Sequence, residues 1–540
     1  METKQNGFFS REQMEEIFNQ IISVERIDDF GETDTDKVLY KIGLLIDVSG
    51  DLGKPEGIRL AIKLLDELRD NKKIVKEQLA MSHYFSGCAW SSLKELTRKD
   101  SQSAWDWEQE EIEKEVSHLR KALNNDHFTD LPKIRQCQIL TNLGNAFNRI
   151  GRFVEAIEYY DRAIEVSQNF GMSLGNKGIC LFNYANYQYD KTIFDALYHH
   201  SHKILNDAIK QPLEGDEKTK EVFLKFVKKI ETHILEKLLN EDTAIDMIDL
   251  KGSQEEATYR TWCLKNRLFL NPLNDIEVSA AAAEDNLFPS GVIVSLGEGP
   301  YFHSLFNLIK QEFVSARYFF YEGVHAKTPH FSDKNVLLFN TLDYPSHSLA
   351  VERIKASYRI VYSIFDKIAY FLNFYLSLGK NEKKISFRTV WYEDTNKKEK
   401  ELLEILEGKK NLLLRGLFWL SKDLFEKKED FMESLEPDAR KLHEIRNRLE
   451  HRYFKLHDYW TPSLYDDEDD LLGFADPIVY AMGREEFISK SLKLLKLVRS
   501  SIMYLCFAIQ TEEFFRKRNA PSQELVFQHR LDIIEDEWKR

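Results

Sequence analysis

Asparagine and glycine recur together at a fixed shift in the first half of the chain. Asn142 and Gly144, in ILTNLGNAFNRIGRFVEAIEYYDRAIEV (Ile139–Val166), return as Asn176 and Gly178, in MSLGNKGICLFNYANYQYD (Met172–Asp190), both 34 residues later. That period holds two helices and a turn, and a unit of that size cannot bury its apolar face alone. It must stack on copies of itself. Leu140, Leu143, Gly144 and Phe147 mark a first helix, Gly151 the turn, and Ala156, Tyr160 and Ala163 a second helix packed on the first. Small residues stand where two helices touch, and larger ones fill the gaps.

The unit resembles a tetratricopeptide repeat closely, and the next one resembles it loosely, with Gln168 where a proline usually ends the repeat. Weaker copies lie upstream, in KVLYKIGLLIDV and GIRLAIKLLDEL (within Lys37–Leu68) and in EQLAMSHYFSGCAWSSL (Glu77–Leu93). The polar stretch Thr97–Glu111 interrupts them. A right-handed helical solenoid is expected over residues 35–250, behind a helical cap at 1–34. Residues 251–302 break the pattern with the turn signals NPLND, FPSG and LGEGP. They read as a linker that packs on the next domain, with one short hairpin at VIVSLGEGPYF.

Long apolar-periodic stretches fill the remainder, 303–540. They are Leu305–His325, Ala356–Gly379, Lys410–Glu426, Ala439–His457 and Arg484–Arg518. Their number and length predict a helical bundle, and Ser522–Arg540 reads as an amphipathic piece that caps it. With 12 prolines and 23 glycines in 540 residues, punctuation is too sparse for many short strands. The expected fold class is all-α, a solenoid followed by a bundle.

The net charge of −14 argues against general nucleic-acid affinity, so any such contact needs a local basic strip. Cys88, Cys137, Cys180, Cys263 and Cys506 have no zinc-ligand or CxxC spacing. They read as reduced and buried, which points to the cytoplasm. No signal peptide is expected from the polar METKQNGFFSREQMEEIF, and Ser501–Ile509 is too short to span a bilayer. Phosphate-loop, dinucleotide, HExxH and GxSxG patterns are absent, so no cofactor or metal is expected. Tyr465–Asp470 (YDDEDD) lacks the spacing of a calcium loop and reads as a solvated loop, one able to shield a neighbouring groove. His199–His202 reads as a surface patch.

HEIRNRLEHRYFKLHD (His443–Asp458) carries the chemistry. At about 100° per residue, Leu442, Ile445 and Leu449 form the core stripe, and His443, Asn447 and His451 form a column centred roughly 140° away. Arg446, Asn447 and His451, with four residues between Arg and His on a late bundle helix, resemble the HEPN superfamily motif. Tetratricopeptide-like repeats, the NRLFLNPLND segment and then such a bundle are similar to one subfamily of large HEPN proteins.

The resemblance implies a metal-independent endoribonuclease in which two bundles pair across a groove. RNA supplies its own nucleophile, the 2′-OH. His451 would shuttle the proton, Arg446 would hold the scissile phosphate, and Asn447 would orient the His451 ring. Products would end in 2′,3′-cyclic phosphate or 3′-phosphate and in 5′-OH. Arg448 and Arg452 extend a basic strip for RNA phosphates. Implied partners are RNA, with tRNA one candidate, and a second copy of the chain. The implied role is antiviral defence or stress-induced growth arrest.

His443 and His457 read as neighbours of the motif. Glu312, Arg317, Asp366 and Asn373 read chiefly as members of buried polar networks. In the repeats, Asn142, Asn145 and Asn176 lie on first helices, which line the concave face. The tetratricopeptide resemblance gives them a protein or peptide ligand, with helix packing as the alternative. The competing class for the whole chain is a non-catalytic scaffold or regulatory subunit whose bundle only dimerises.

Overall fold

The computed structural model describes residues 9–70, 74–100, 103–213, 216–233, 252–276, 279–289, 291–294, 299–341, 343–393, 401–425, 438–458, 479–519 and 531–539. The repeat half comprises α1 (Arg11–Ile21), α2 (Thr35–Leu52), α3 (Pro55–Asp70), α4 (Lys76–Thr97), α5 (Glu110–Leu123), α6 (Lys133–Arg149), α7 (Phe153–Val166), α8 (Gly171–Ala185), α9 (Lys191–Ile209) and α10 (Asp216–Glu231). Four hairpins, α2/α3, α4/α5, α6/α7 and α8/α9, stack side by side, with α1 before them and α10 after. The repeated glycines make this possible. A methyl group on Gly144 would overlap the Tyr160 ring, and one on Gly178 would overlap Leu205, each on the second helix of its own hairpin. Ala156, Tyr160 and Ala163 are fully buried on the facing side.

The segment after the repeats holds α11 (Gln254–Lys265), a helix the turn signals around it conceal, and a 3-10 turn at Pro272–Asp275. NPLND is a buried hub. The Asn271 side chain caps the Leu273 N–H and donates to the Ala281 carbonyl, and Asn274 accepts from the Phe269 N–H and donates to the Leu264 carbonyl. Asp275 accepts from Arg499 at 2.6 Å and from the Tyr184 hydroxyl at 3.3 Å, tying bundle and repeats to one carboxylate. Arg317 likewise pairs with Asp285 at 2.7 Å. The linker therefore packs on both halves. The described residues of the expected hairpin hold no strand: Tyr301 and Phe302 open the next helix behind Pro300, and residues 295–298 lie outside the described residues.

The bundle comprises α12 (Tyr301–His325), α13 (Leu349–Tyr375), α14 (Leu412–Phe425), α15 (Ala439–His451) and α16 (Arg484–Asn519). The fourth helix stops earlier than its periodicity suggests. Tyr453–His457 forms strand β1, paired in parallel with β2 (Val479–Gly483). YFKLH alternates, with Tyr453 outward and Phe454 and Leu456 inward, and the Leu456 carbonyl accepts from the Ser346 N–H. Period-two burial wins over helical continuation there. Tyr465–Asp470 lies outside the described residues. Residues 520–530 also do, and 531–539 expose Leu531, Ile533, Ile534 and Trp538 to solvent, so the described part of the C-terminal piece covers no core.

One hydrophobic core runs from Ala80 to Ile509, through repeats, linker and bundle, and a smaller one gathers Phe18 to Leu93. At the seam, α7 and α5 meet α14. Trp107 packs on Phe418 and Trp391 and donates to the Lys409 carbonyl at 3.2 Å. The Gly151 turn presses directly on the Leu412 backbone. Asp423 accepts from Arg120 (2.5 and 3.0 Å) and from Arg152 (2.6 Å), all three side chains being nearly inaccessible. Burial would raise the Asp423 carboxyl, but the two guanidiniums reverse this and hold it well below the ordinary carboxylate range.

Two predictions follow from this packing. Asp423→Ala removes the carboxylate that Arg120 and Arg152 share, leaving Arg152 with Glu155 as its partner among the described residues, and should cost about 3 kcal/mol, read by urea unfolding. Between α4 and α5, His83 and His118 face each other at 3.0 Å. Burial, aided by the Arg69 charge, pushes His83 down to about 3 and His118 down to about 2. Both stay neutral in the fold, whereas the unfolded chain takes up protons below about pH 6.5. Stability should therefore be full above that pH and fall as the solution is acidified through it. His118→Gln should flatten that slope in urea midpoints measured from about pH 7.5 to about pH 5.

Candidate functional site

Helix α15 buries Leu442, Ile445 and Leu449 against the bundle, and all three are at most 7% exposed. That fixes the remaining faces. His443 and His451 are exposed, and Arg446, Asn447 and Arg448 are half-buried. The opposing wall is α13, where Tyr358, Tyr362 and Asp366 recur every four residues and so share one face. The Tyr358 hydroxyl donates to the Leu442 carbonyl at 2.7 Å, fixing how α15 sits on α13.

A chain of hydrogen bonds crosses the two helices. Arg446 Nη1 donates to Asn447 Oδ1 at 3.0 Å. A guanidinium only donates, so this contact sets the amide orientation and leaves Asn447 Nδ2 to donate to His443 Nε2 at 2.9 Å. A neutral His443 then carries its proton on Nδ1, 3.1 Å from the Tyr362 hydroxyl. Asn447 thus orients Arg446 and His443. It makes no hydrogen bond to His451, the ring it was expected to position.

The Arg446 guanidinium also lies over the Tyr362 ring at 5.8 Å, a cation–π contact. No carboxylate among the described residues forms an ion pair with it, so most of its donors remain open. Asp366, on the facing helix, feels its charge. Asp366 keeps an exposed edge and accepts from the Phe387 N–H at 3.1 Å. Burial among its neighbours pushes its carboxyl up, while the Phe387 amide and Arg446 pull against that rise. Burial also pushes the Tyr362 hydroxyl up, so it stays protonated.

His451 ends α15, exposed, and forms no hydrogen bond or ion pair with a described residue. Arg446 and His451 are five residues apart, which places them roughly 140° apart around the axis. One copy of the helix does not aim both at a single point. Arg448 lies over the Tyr480 ring at 5.5 Å, and exposed Arg452 turns the chain into β1. His457 is enclosed in β1, and burial pushes it below its ordinary value.

The other polar residues singled out from the sequence fall elsewhere. Arg317 holds Asp285 and the Leu268 carbonyl, Asn373 closes a turn with Lys380, and Glu312 pairs with Lys367. In the repeats, Asn145 accepts from the Tyr160 hydroxyl at 2.8 Å, and Asn142 contacts the Cys88 sulfur at 3.6 Å. Asn176 is half-buried on α8. Asp366 was singled out, but Tyr358 and Tyr362, which share its face, were missed, although their i, i+4, i+8 spacing in ASYRIVYSIFDK was readable.

Residues 293–512 match the LA2681-like HEPN family, and residues 137–170 match the tetratricopeptide repeat. No curated protein matches the chain. Tyr358→Phe should lower stability by about 1 kcal/mol in urea unfolding, the usual worth of one such bond. An unchanged midpoint would show that the Leu442 carbonyl does not depend on it.

Proposed function

Because this chain joins a tetratricopeptide repeat to an LA2681-like HEPN domain, we propose that it is a regulated, metal-independent endoribonuclease acting through Arg446, Asn447 and His451. The observation that carries the reading is the Arg446 guanidinium, propped by Asn447 and the Tyr362 ring with no carboxylate partner among the described residues. Such a fork suits a phosphodiester, binding its oxygens and the charge that develops on them.

The step balances without a protein nucleophile. The RNA 2′-oxygen gives up its proton to a base and attacks the adjacent phosphorus. The 5′-oxygen leaves and takes a proton, giving a 2′,3′-cyclic phosphate and a 5′-OH. His451, exposed and unpaired among the described residues, is assigned the proton transfer. Asn447 positions Arg446. Arg446 and His451 of one helix point apart, so we assign the complete site to two copies, each contributing across a shared groove. Arg448 and Arg452 guide the RNA backbone. The repeats sense a protein or peptide through the face that carries Asn142, Asn145 and Asn176, and the biological setting is antiviral defence or stress-induced growth arrest.

The test is cleavage of total RNA and a tRNA pool in EDTA. Wild type should leave 5′-OH ends, and His451→Ala or Arg446→Ala should each lose about 10²–10⁴-fold in rate. Equal cleavage by all three proteins would remove these residues from the mechanism. No cleavage by wild type, with repeat-domain partner binding intact in both variants, would instead favour a dimerising scaffold.

A further inference from the structure

Among the described residues, every buried lysine, arginine, aspartate and glutamate but one stands in an ion pair. The exception is Arg415. It lies in the first turn of α14, at the seam with the repeats, and is 3% exposed. Its Nε and Nη2 atoms are sealed from water and have no hydrogen-bond partner. A permanently charged fork held in that state is among the least favourable arrangements a folded chain can keep. With every other such charge among the described residues in an ion pair, it marks a place suited to an anion.

Its surroundings support this. Lys94, half-buried on α4, feels the charges of both Arg149 and Arg415 and has no ion pair with a described residue. Burial and those two cations push it down to about 8, against the pull of Glu115 and Glu95. Arg149, at the end of α6, gives Nη2 to Glu115, but its Nε is also sealed without a partner. Burial pushes Arg415 down to about 10. Asp106, which pulls the other way, is already engaged by Arg98 at 2.7 Å. Three cations from three helices therefore gather around Glu115, and Arg415 has no ion pair with a described residue.

We propose that Lys94, Arg149 and Arg415 form a binding site for the phosphate group of a small ligand, seated between α4, α6 and α14. An arginine fork matches two phosphate oxygens, and a lysine adds a point charge. A fork and a lysine facing one group favour a dianion over a monoanion, and a phosphate monoester approaches that charge near neutral pH, whereas a single carboxylate does not. The ligand would bridge the repeat helices to the bundle. The site is separate from Arg446 and His451 and does not rest on the nuclease reading.

The test uses the full chain in thermal unfolding with inorganic phosphate, pyrophosphate and AMP, each against sodium chloride at equal ionic strength. Wild type should rise in Tm with at least one of them. Arg415→Met, which removes the stranded charge at similar volume, should unfold in chloride at the wild-type Tm or above it and lose the ligand-dependent rise. Lys94→Gln, at the accessible rim, should keep the fold and need a higher ligand concentration for the same rise, so the proposal stays testable if Arg415→Met fails to fold. A response to inorganic phosphate alone would assign a free-ion site, and a stronger response to AMP would assign a phosphorylated small molecule. No ligand-dependent rise in wild type, or an equal rise in wild type and Lys94→Gln, would overturn the proposal, because phosphate stabilises any compact surface by exclusion.

Discussion

Asp423 is the carboxylate on which the arrangement of the two halves depends. It comes from the bundle, and both of its arginines, Arg120 and Arg152, come from the repeats. Removing water from three charged groups is favourable only when each is fully engaged. The two guanidiniums fix direction as well as distance, so repeats and bundle dock in one register. Tyr504 strengthens the same point, giving its hydroxyl to Glu155 and accepting from the Val154 N–H. The linker adds a second clamp of the same kind through Asp275 and Arg499.

This seam changes how the molecule is to be understood. A loosely tethered sensor and effector would carry separate cores, whereas here one core passes through both halves. A ligand on the repeat helices is therefore mechanically connected to α14, which packs against α15 and α16. Arg446, on α15, is positioned by that stack and by Tyr362 on α13. A continuous line of packed helices thus joins the repeat surface to α15.

Much of the architecture was legible because it is periodic. Glycines at a spacing of 34 residues reflect a real steric need, since Gly144 and Gly178 leave no room for a methyl group. Helical spacing located the five described bundle helices and the Leu442–Ile445–Leu449 stripe. It failed where periodicity is ambiguous: YFKLH is too short for three-point spacing to exclude a strand, and its partner β2 comes from beyond residue 478. The turn signals of NPLND were read correctly as turns, but their burial was invisible, because turn chemistry does not say whether a loop faces water or a neighbouring domain.

The candidate site divides along the same line. Arg446, Asn447 and His451 were readable as a local pattern on one helix, because their relation depends only on the helical repeat. That Tyr362 and Asp366 face Arg446, and that its fork stays open, were not, because both depend on which helix crosses α15 and at what height. Arg415 makes the contrast sharpest. In LLLRGLFWLSKDLF it is one arginine among apolar residues, no different from Arg317 or Arg499 in theirs. Composition and spacing alone determined helices, repeats and the face that carries the basic column. Tertiary packing decided which charges found partners and which did not, because pairing is a property of residues hundreds of positions apart.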